Sequence, residues 1–574
     1  MKKHIKIFIT VVMVIFTFSC SESFLDYTPK GTLSGDVLSQ PKHLDNMVTA
    51  AYASLGNDDW THAFSHMWLW GSVRSDDSFK GGGSVPDQGE GDLLEQFVAI
   101  TTDLGKPNLV WIAIYEGIGR ANDALKRVNA VDVAQYPNKV VRQAELRFLR
   151  GHWYFLLKIL FNRPPWIDEL VAKEEIKNVP NDVLTSDQLW DKIAEDFQFA
   201  ADNLPVTQSQ IGRATKGAAW TYLAKVRLYQ AYEQNDQHAV ININNAKLQK
   251  VVDLADNVIN LGIYDIHDDF AKNFLIEYEN QKESIFAIQF SVSDGTTSPG
   301  RINKATGLNY NMAPQYGCCD FHNPSQNLVN AFRTNAAGLP EFDTFDDVVM
   351  RNPADFWTNT VDPRLDHTVG IATHPFKYKP TWIMQSNWRR APQVYGYYST
   401  MKEIVPYDDP SFKKYGAFMG GALNFAVLRY DDLLLMKAEA LIELDRHTEA
   451  LPLINQIRVR AKNSTGRLKM ADGTPISNYK VEAYVNDATW TKDYARKALQ
   501  FERRLEFAME SPRFFDLVRW GIAAETLNKH FAKEKTRFVF LANANFTKGR
   551  NEYLHIPQQQ INLVNGIYVQ NPGY

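Results

Sequence analysis

Apolar residues recur three and four apart over long stretches at both ends of the chain, a spacing that predicts helices. One such stretch runs from Lys42 to Leu55. Another runs from Asn108 to Val128, where Trp111, Tyr115, Ile118 and Leu125 share a face and Gly117 and Gly119 leave room for a close helix neighbour. "QAELRFLRGHWYFLLKILFNRPPW" predicts a helix stopped by Pro164 and Pro165, because proline cannot donate to the helical ladder. "SDQLWDKIAEDFQFAADNLP" adds one with Ser186 as N-cap and Pro205 just past its end. Two more, "ATKGAAWTYLAKVRLYQAYE" and "KLQKVVDLADNVINLGIYDI", flank a polar connection, "QNDQHAVININN".

Near the C-terminus, "YDDLLLMKAEALIELDRHTEALPLINQIRVRAK" predicts two helices around the turn Asp445, Arg446, His447. Ala438 and Ala450 fall where the paired helices touch, with Ile454 and Ile457 filling the second, a tetratricopeptide-like pattern. Irregular spacing between pairs argues against a uniform solenoid. Residues 265–424 differ: they are rich in Gly, Pro, Asn and aromatics, with short extended runs such as "SIFAIQFSV". Their many Trp and Tyr argue against disorder, so this segment is expected to pack on the helices and supply a binding face. The fold class expected is mainly α: degenerate tetratricopeptide-like helix pairs with a large loop-rich, aromatic-rich insertion and minor β. The divisions are residues 1–19, a signal peptide; 20–264, an N-terminal helical region; 265–424, the loop-rich ligand-face segment; and 425–574, a C-terminal helical region.

Composition changes this picture little. The chain is 45% hydrophobic and 22% charged with a formal charge of −4, acids and bases interspersed, so nucleic acid is not an expected partner. The N-terminus changes it more. Lys2, Lys3 and Lys6 precede an apolar run, Ile7 to Phe18, interrupted only by Thr10 and Thr17 and too short to span a bilayer. Cys20 stands where that run gives way to polar chain, the layout of a bacterial lipoprotein signal, although Phe18 is bulkier than such signals usually carry. Lipidation of Cys20 would anchor the body without a spanning helix. Cys318 and Cys319, adjacent and hence closer than an ordinary disulfide accepts, read as two small thiols in a loop, with a strained ring between the neighbours the rare alternative.

No segment carries convincing catalytic chemistry. Glu502, Glu506 and Glu510 in "FERRLEFAMESPRFFDLVRW" line one helix face, whereas a glycosidase needs carboxyls on opposite sides of a scissile bond. With Arg503, Arg504, Arg513 and Arg519 nearby, they read as a structural ion-pair network. His62 and His66 lack an HExxH context and a third ligand, so no metal is expected. "GTLSG" at 31–35 is not a nucleophile elbow, and "KGGGS" at 80–84 reads as a mobile turn. No cofactor is expected.

Aromatics beside polar groups carry the functional signal. Trp68, Trp70 and Phe79 flank "GSVRSDDS" with Arg74, Asp76 and Asp77, and the middle segment adds Tyr310, Tyr316, Trp357, Trp382, Trp388 and Tyr395. Flat rings suit the C–H face of a sugar, while charged and amide groups fix its hydroxyls. These residues are the ligand-binding candidates.

The chain resembles the SusD/RagB lipoproteins of Bacteroidetes outer membranes. The resemblance rests on "CSESFLD", "WIAIYEGIGRANDAL", "DPRLDHTV" (362–369), "LRYDDLLLMKAEALIEL", "ALPLINQIRVRAK", "FERRLEFAMESPRFFDLVRWG" and the ending "YLHIPQQQINLVNGIYVQNPGY", in that order. It implies a lipid-anchored, mostly helical protein displayed on the outer membrane. It also implies capture of an oligosaccharide or other nutrient for a SusC-like TonB-dependent transporter, without turnover. In such proteins the ligand face draws on the early post-helix loop and the middle segment. The rival classes are a helical-repeat protein that binds peptide or protein, and a glycoside hydrolase.

Overall fold

The protein is described from a computed structural model that covers residues 35–297 and 299–574. Cys20, the leader and most of "GTLSG" lie outside the described residues.

Helices form the frame. Six of them are α1 (Pro41–Ala53), α2 (Gly105–Ala130), α3 (Lys139–Phe161), α4 (Ser186–Asn203), α5 (Lys216–Ala231) and α6 (Asn245–Ile259). From α2 onward each packs on the next, and α1 lies across α2 and α3. The predicted faces are the packed ones: Trp111, Ile118 and Leu125 are buried and Tyr115 is half-buried. Gly117 sets the approach of α2 to α3, because a Cβ there would stand 2.3 Å from Trp153, whereas Gly119 faces open space. The N-cap of α4 is Thr185 rather than Ser186. Its hydroxyl accepts from the Gln188 amide at 3.2 Å, and the Gln188 side chain accepts from the Thr185 amide at 2.9 Å. Ser186 lacks that reciprocal partner three residues on.

Helices α7 (Tyr430–Glu443), α8 (His447–Asn463), α9 (Lys492–Phe507) and α10 (Pro512–Arg519) continue the frame, with Ala438 and Ala450 fully buried between α7 and α8. The molecule is 46% helix and 9% strand, so strands serve as local clasps. Among them are β1 (Ser78–Gly81), β2 (Tyr232–Gln234), β3 (Val240–Ile243), β4 (Ser284–Ile288), β5 (Phe321–Pro324), β6 (Lys413–Tyr415), β7 (Phe418–Gly420) and β8 (Phe425–Arg429). The polar connection before α6 is the antiparallel hairpin β2–β3. "SIFAIQFSV" supplies β4, which pairs antiparallel with β8 and so brings the two ends of the middle segment together.

The middle segment packs around two small cores of its own. One gathers Tyr310, Tyr316, Phe376, Trp382, Trp388 and Met401. The other joins Leu328, Phe332, Phe356 and Leu365 to Leu505 and Met509, which keys the segment to the end of α9. There the acidic residues of α9 act as glue. Arg364 of "DPRLDHTV" reaches Glu502 at 2.7 Å and Glu506 at 2.8 Å, Arg458 reaches Glu502 at 2.8 Å, and Arg460 pairs with Glu506. Glu510 takes Lys402 at 2.7 Å and Arg429 at 2.8 Å. The arginines on the same motif face other acids: Arg503 meets Asp432 and Asp516, each at 2.9 Å. The network spans helix seams.

Candidate ligand-binding face

The stretch from Trp68 to Phe79 is an internal seam. Trp68, Trp70, Arg74, Asp76, Asp77 and Phe79 are each buried to within 3% of full occlusion. Trp70 donates through Nε1 to the His62 carbonyl at 2.6 Å. Asp76 takes Arg513 at 2.8 Å and Arg504 at 3.1 Å, and Asp77 takes Arg504 at 2.9 Å. Arg74 lies 4.1 Å over the Phe514 ring and donates to the Asn551 carbonyl at 3.0 Å; burial pulls its guanidinium down to about 10. Phe79 packs edge-on against Phe538 and Phe540. A Cβ on Gly71 would fall 1.9 Å from the Ser511 carbonyl oxygen, so this turn is pressed onto the start of α10. The expected loop platform is therefore corrected: these side chains spend their surfaces on the core and on arginine partners, leaving none for a sugar.

The middle-segment rings divide. Tyr310, Tyr316, Trp382 and Trp388 are buried together, and the Tyr316 hydroxyl donates to the Val405 carbonyl at 2.7 Å. Tyr395 is buried against Phe540. These rings also pack the core instead of facing a ligand. Trp357 is 50% exposed, on a short helix beside Asn478 and apart from the other rings. Cys318 and Cys319 are joined as a disulfide, which corrects the reading of two free thiols. The predicted mobile turn at 80–84 is instead packed at its start. Lys80 and Gly81 end β1, fully buried, and Lys80 donates to the Ser84 and Val85 carbonyls at 3.3 and 3.2 Å.

A different set of residues meets solvent together. Asp58, just past α1, organises the loop that follows: one carboxylate oxygen accepts from the Asp59 amide at 2.8 Å and His62 Nδ1 at 2.5 Å, the other from the Ser65 amide and hydroxyl, each at 2.6 Å. That loop holds Trp60 half-buried, its ring 5.5 Å from Phe418. Phe418 and Tyr415, 6.0 Å apart and both half-buried, come from the hairpin β6–β7, and Lys304 Nζ lies 5.9 Å over the Tyr415 ring. The Tyr415 hydroxyl is buried over Gly307 with no hydrogen-bond partner, and burial, with Asp59 beyond it, pushes that phenol above its usual range. Next to this ring cluster, sharing Asp58 and Lys304 with it, opens a groove of about 610 Å³. The end of α1, residues 210–213, the end of β4 and residues 300–304 form its walls. Rings beside a polar groove can hold a sugar by its C–H face and its hydroxyls at once.

Trp60, Lys304, Tyr415 and Phe418 were not singled out by sequence reasoning, yet a signal was present. "NDDWTHAF" stands nearer the end of the first helix than Trp68 does, and "KKYGAFMGG" reads as a hairpin carrying two rings.

Family models match most of the chain: one described as the SusD family over residues 282–574, another described as "Starch-binding associating with outer membrane" over 23–228. SusD-like protein P2 of Formosa agariphila is 22% identical over 604 residues, covering all of both chains. Among solved structures, a SusD superfamily protein of Bacteroides vulgatus superposes with a TM-score of 0.67 at 20% identity, covering 93% of this chain and 99% of that one. A "Laminarin binding SusD-like protein" superposes at 0.61 and 23% identity, covering 92% and 99%. Surface glycan-binding protein A of Bacteroides thetaiotaomicron, in complex with laminarihexaose, superposes at 0.61 and 20% identity with the same coverage.

Proposed function

The chain belongs to the SusD family, and from that premise we propose that it is an outer-membrane lipoprotein that captures a nutrient glycan for a SusC-like TonB-dependent transporter. The observation that carries the reading is the cluster of Trp60, Tyr415 and Phe418, joined to the neighbouring groove through Asp58 and Lys304. Neighbours named for laminarin binding or holding laminarihexaose support a saccharide as the ligand class. Cys20, acylated, is the anchor, and no helix among the described residues is long and apolar enough to cross a membrane. The protein binds without cleaving. Glu502 and Glu506 are fully buried and clasped by arginines, so they cannot flank a glycosidic bond.

The test is a glycan array followed by calorimetry on the wild type and on a Trp60→Ala/Tyr415→Ala variant, with chromatography of the recovered sugar. Saturable binding of intact sugar, weakened at least about tenfold in the variant while its circular dichroism stays that of the folded protein, is expected from the loss of two stacking rings. Cleaved sugar, or full binding by the variant, overturns the reading.

A further inference from the structure

The groove is electropositive on a chain whose formal charge is −4. Four cations line it, Arg120, Arg213, Arg301 and Lys304, against a single carboxylate, Asp58. That carboxylate is 1% exposed and both its oxygens are occupied within its own loop, so it offers nothing outward. Arg213 is neutralised by Glu145 at 2.8 Å, and Arg120 pairs with Glu116. The side chains of Arg301 and Lys304 form no ion pair among the described residues, although the Arg301 amide donates to the Asp294 carboxylate, and Lys304 Nζ lies over the Tyr415 ring.

These two cations stand on a fixed edge. Between them Ile302 and Asn303 are buried, and beyond them Ala305 is fully buried. The Arg301 carbonyl accepts from the Ser291 amide at 3.0 Å, the Asn303 amide donates to Gly421 at 2.9 Å, and the Ala305 carbonyl accepts from Trp68 Nε1 at 2.9 Å. Of the three side-chain amides on the groove, that of Asn57 is exposed and unpartnered among the described residues, and the other two are engaged. Gln289 exchanges hydrogen bonds with Asn280 and also accepts from Asn424, while Gln210 accepts from Arg213. On the ring side, Asp59 has one oxygen taken by Thr61. Beside the Asn57 amide, what the groove offers a ligand is the charged donors of Arg301 and Lys304.

We propose that the saccharide taken here is anionic, bearing uronic carboxylates or sulfate esters that Arg301 and Lys304 receive while its rings lie against Trp60 and Tyr415. A guanidinium and an ammonium left unpaired at a groove wall bind oxyanions more strongly than neutral hydroxyls. The inference rests on the groove being the glycan site.

Calorimetry of the full chain in detergent tests it, using hexagalacturonate, a sulfated galactan hexasaccharide and neutral laminarihexaose at low and high salt. At least one anionic ligand should bind about tenfold tighter than laminarihexaose at low salt and weaken as salt rises. Arg301→Gln or Lys304→Met should cost that ligand about tenfold and leave the melting temperature unchanged. The arm that responds distinguishes carboxylate from sulfate. Tighter binding of laminarihexaose, no binding of either anion, or anion binding indifferent to both charge variants overturns the proposal. A Trp60→Ala/Tyr415→Ala variant separates the two failures. If it leaves every saccharide bound, the site itself is misplaced; if it abolishes binding while the charge variants change nothing, only the anionic inference falls.

Discussion

The indole nitrogen of Trp68 donates to the carbonyl of Ala305 at 2.9 Å, across 237 residues of sequence. Trp68 thus fixes, from inside, the edge that carries Lys304 on the outside. A ring whose composition and neighbours suited a sugar platform instead braces the wall of the groove.

Trp68→Ala should therefore destabilise the protein by about 3–5 kcal/mol, the cost of emptying a buried tryptophan site. Trp68→Phe should cost about 1–3 kcal/mol, mainly by leaving the Ala305 carbonyl unpaired. Urea denaturation reads both. An unchanged midpoint for Trp68→Ala, together with lost glycan binding, would return this ring to the ligand face.

Glu506 gives a pH-dependent test. Burial alone would raise its pKa, but Arg460 and Arg364 outweigh that and hold it well below the ordinary value of 4.5. A carboxylate depressed on folding contributes stability that is complete above its unfolded pKa and lost as pH falls through the folded one. Glu506→Gln should flatten acid unfolding below about pH 4.5. Glu506→Ala should cost about 3–5 kcal/mol at neutral pH, because two buried guanidiniums lose a partner. Wild-type acid stability in Glu506→Gln would show that the pair does not drive that transition.

The helices were legible because a 3.6-residue period survives in a sequence whatever the helices pack against. Trp111, Ile118, Leu125, Ala438 and Ala450 all lie where that period puts them. The purpose of the α9 carboxylates was legible too, since a one-sided row of Glu beside Arg suits pairing better than catalysis. The identity of the partners was not: Arg364 lies 142 residues from Glu506, and nothing local joins them. The ligand face was the least legible part. Trp60 and Trp68 stand in one loop region with similar neighbours, and only the tertiary packing of Phe321, His322 and Ala305 onto Trp68 decides which ring is buried.

Cys20→Ala should leave the body folded and move it from the membrane to the soluble fraction. Acyl chains contribute about 0.8 kcal/mol per buried methylene, and two or more together hold a protein on a bilayer. Fractionation in high salt, with circular dichroism of the released protein, measures both outcomes. Retention of the variant with the outer membrane would count against a lipid anchor.

Two glycines two residues apart on α2, and so on opposite faces, should respond with opposite signs. A methyl at Gly117 would stand 2.3 Å from Trp153, which is fully buried and packs edge-on against Phe64 at 5.2 Å. Trp153 cannot yield without pushing Phe64, which belongs to the loop carrying Trp60. Gly117→Ala is therefore expected to cost about 1–3 kcal/mol by overpacking, and to weaken glycan binding through the displaced loop. At Gly119 a methyl meets nothing within 4 Å, and the position is exposed. There the gain in helix propensity dominates, and Gly119→Ala should stabilise by about 0.5–1 kcal/mol with ligand affinity unchanged. Thermal melts of the two variants against the wild type decide the matter: shifts of the same sign would mean that the close approach of α2 to α3 is not what Gly117 provides.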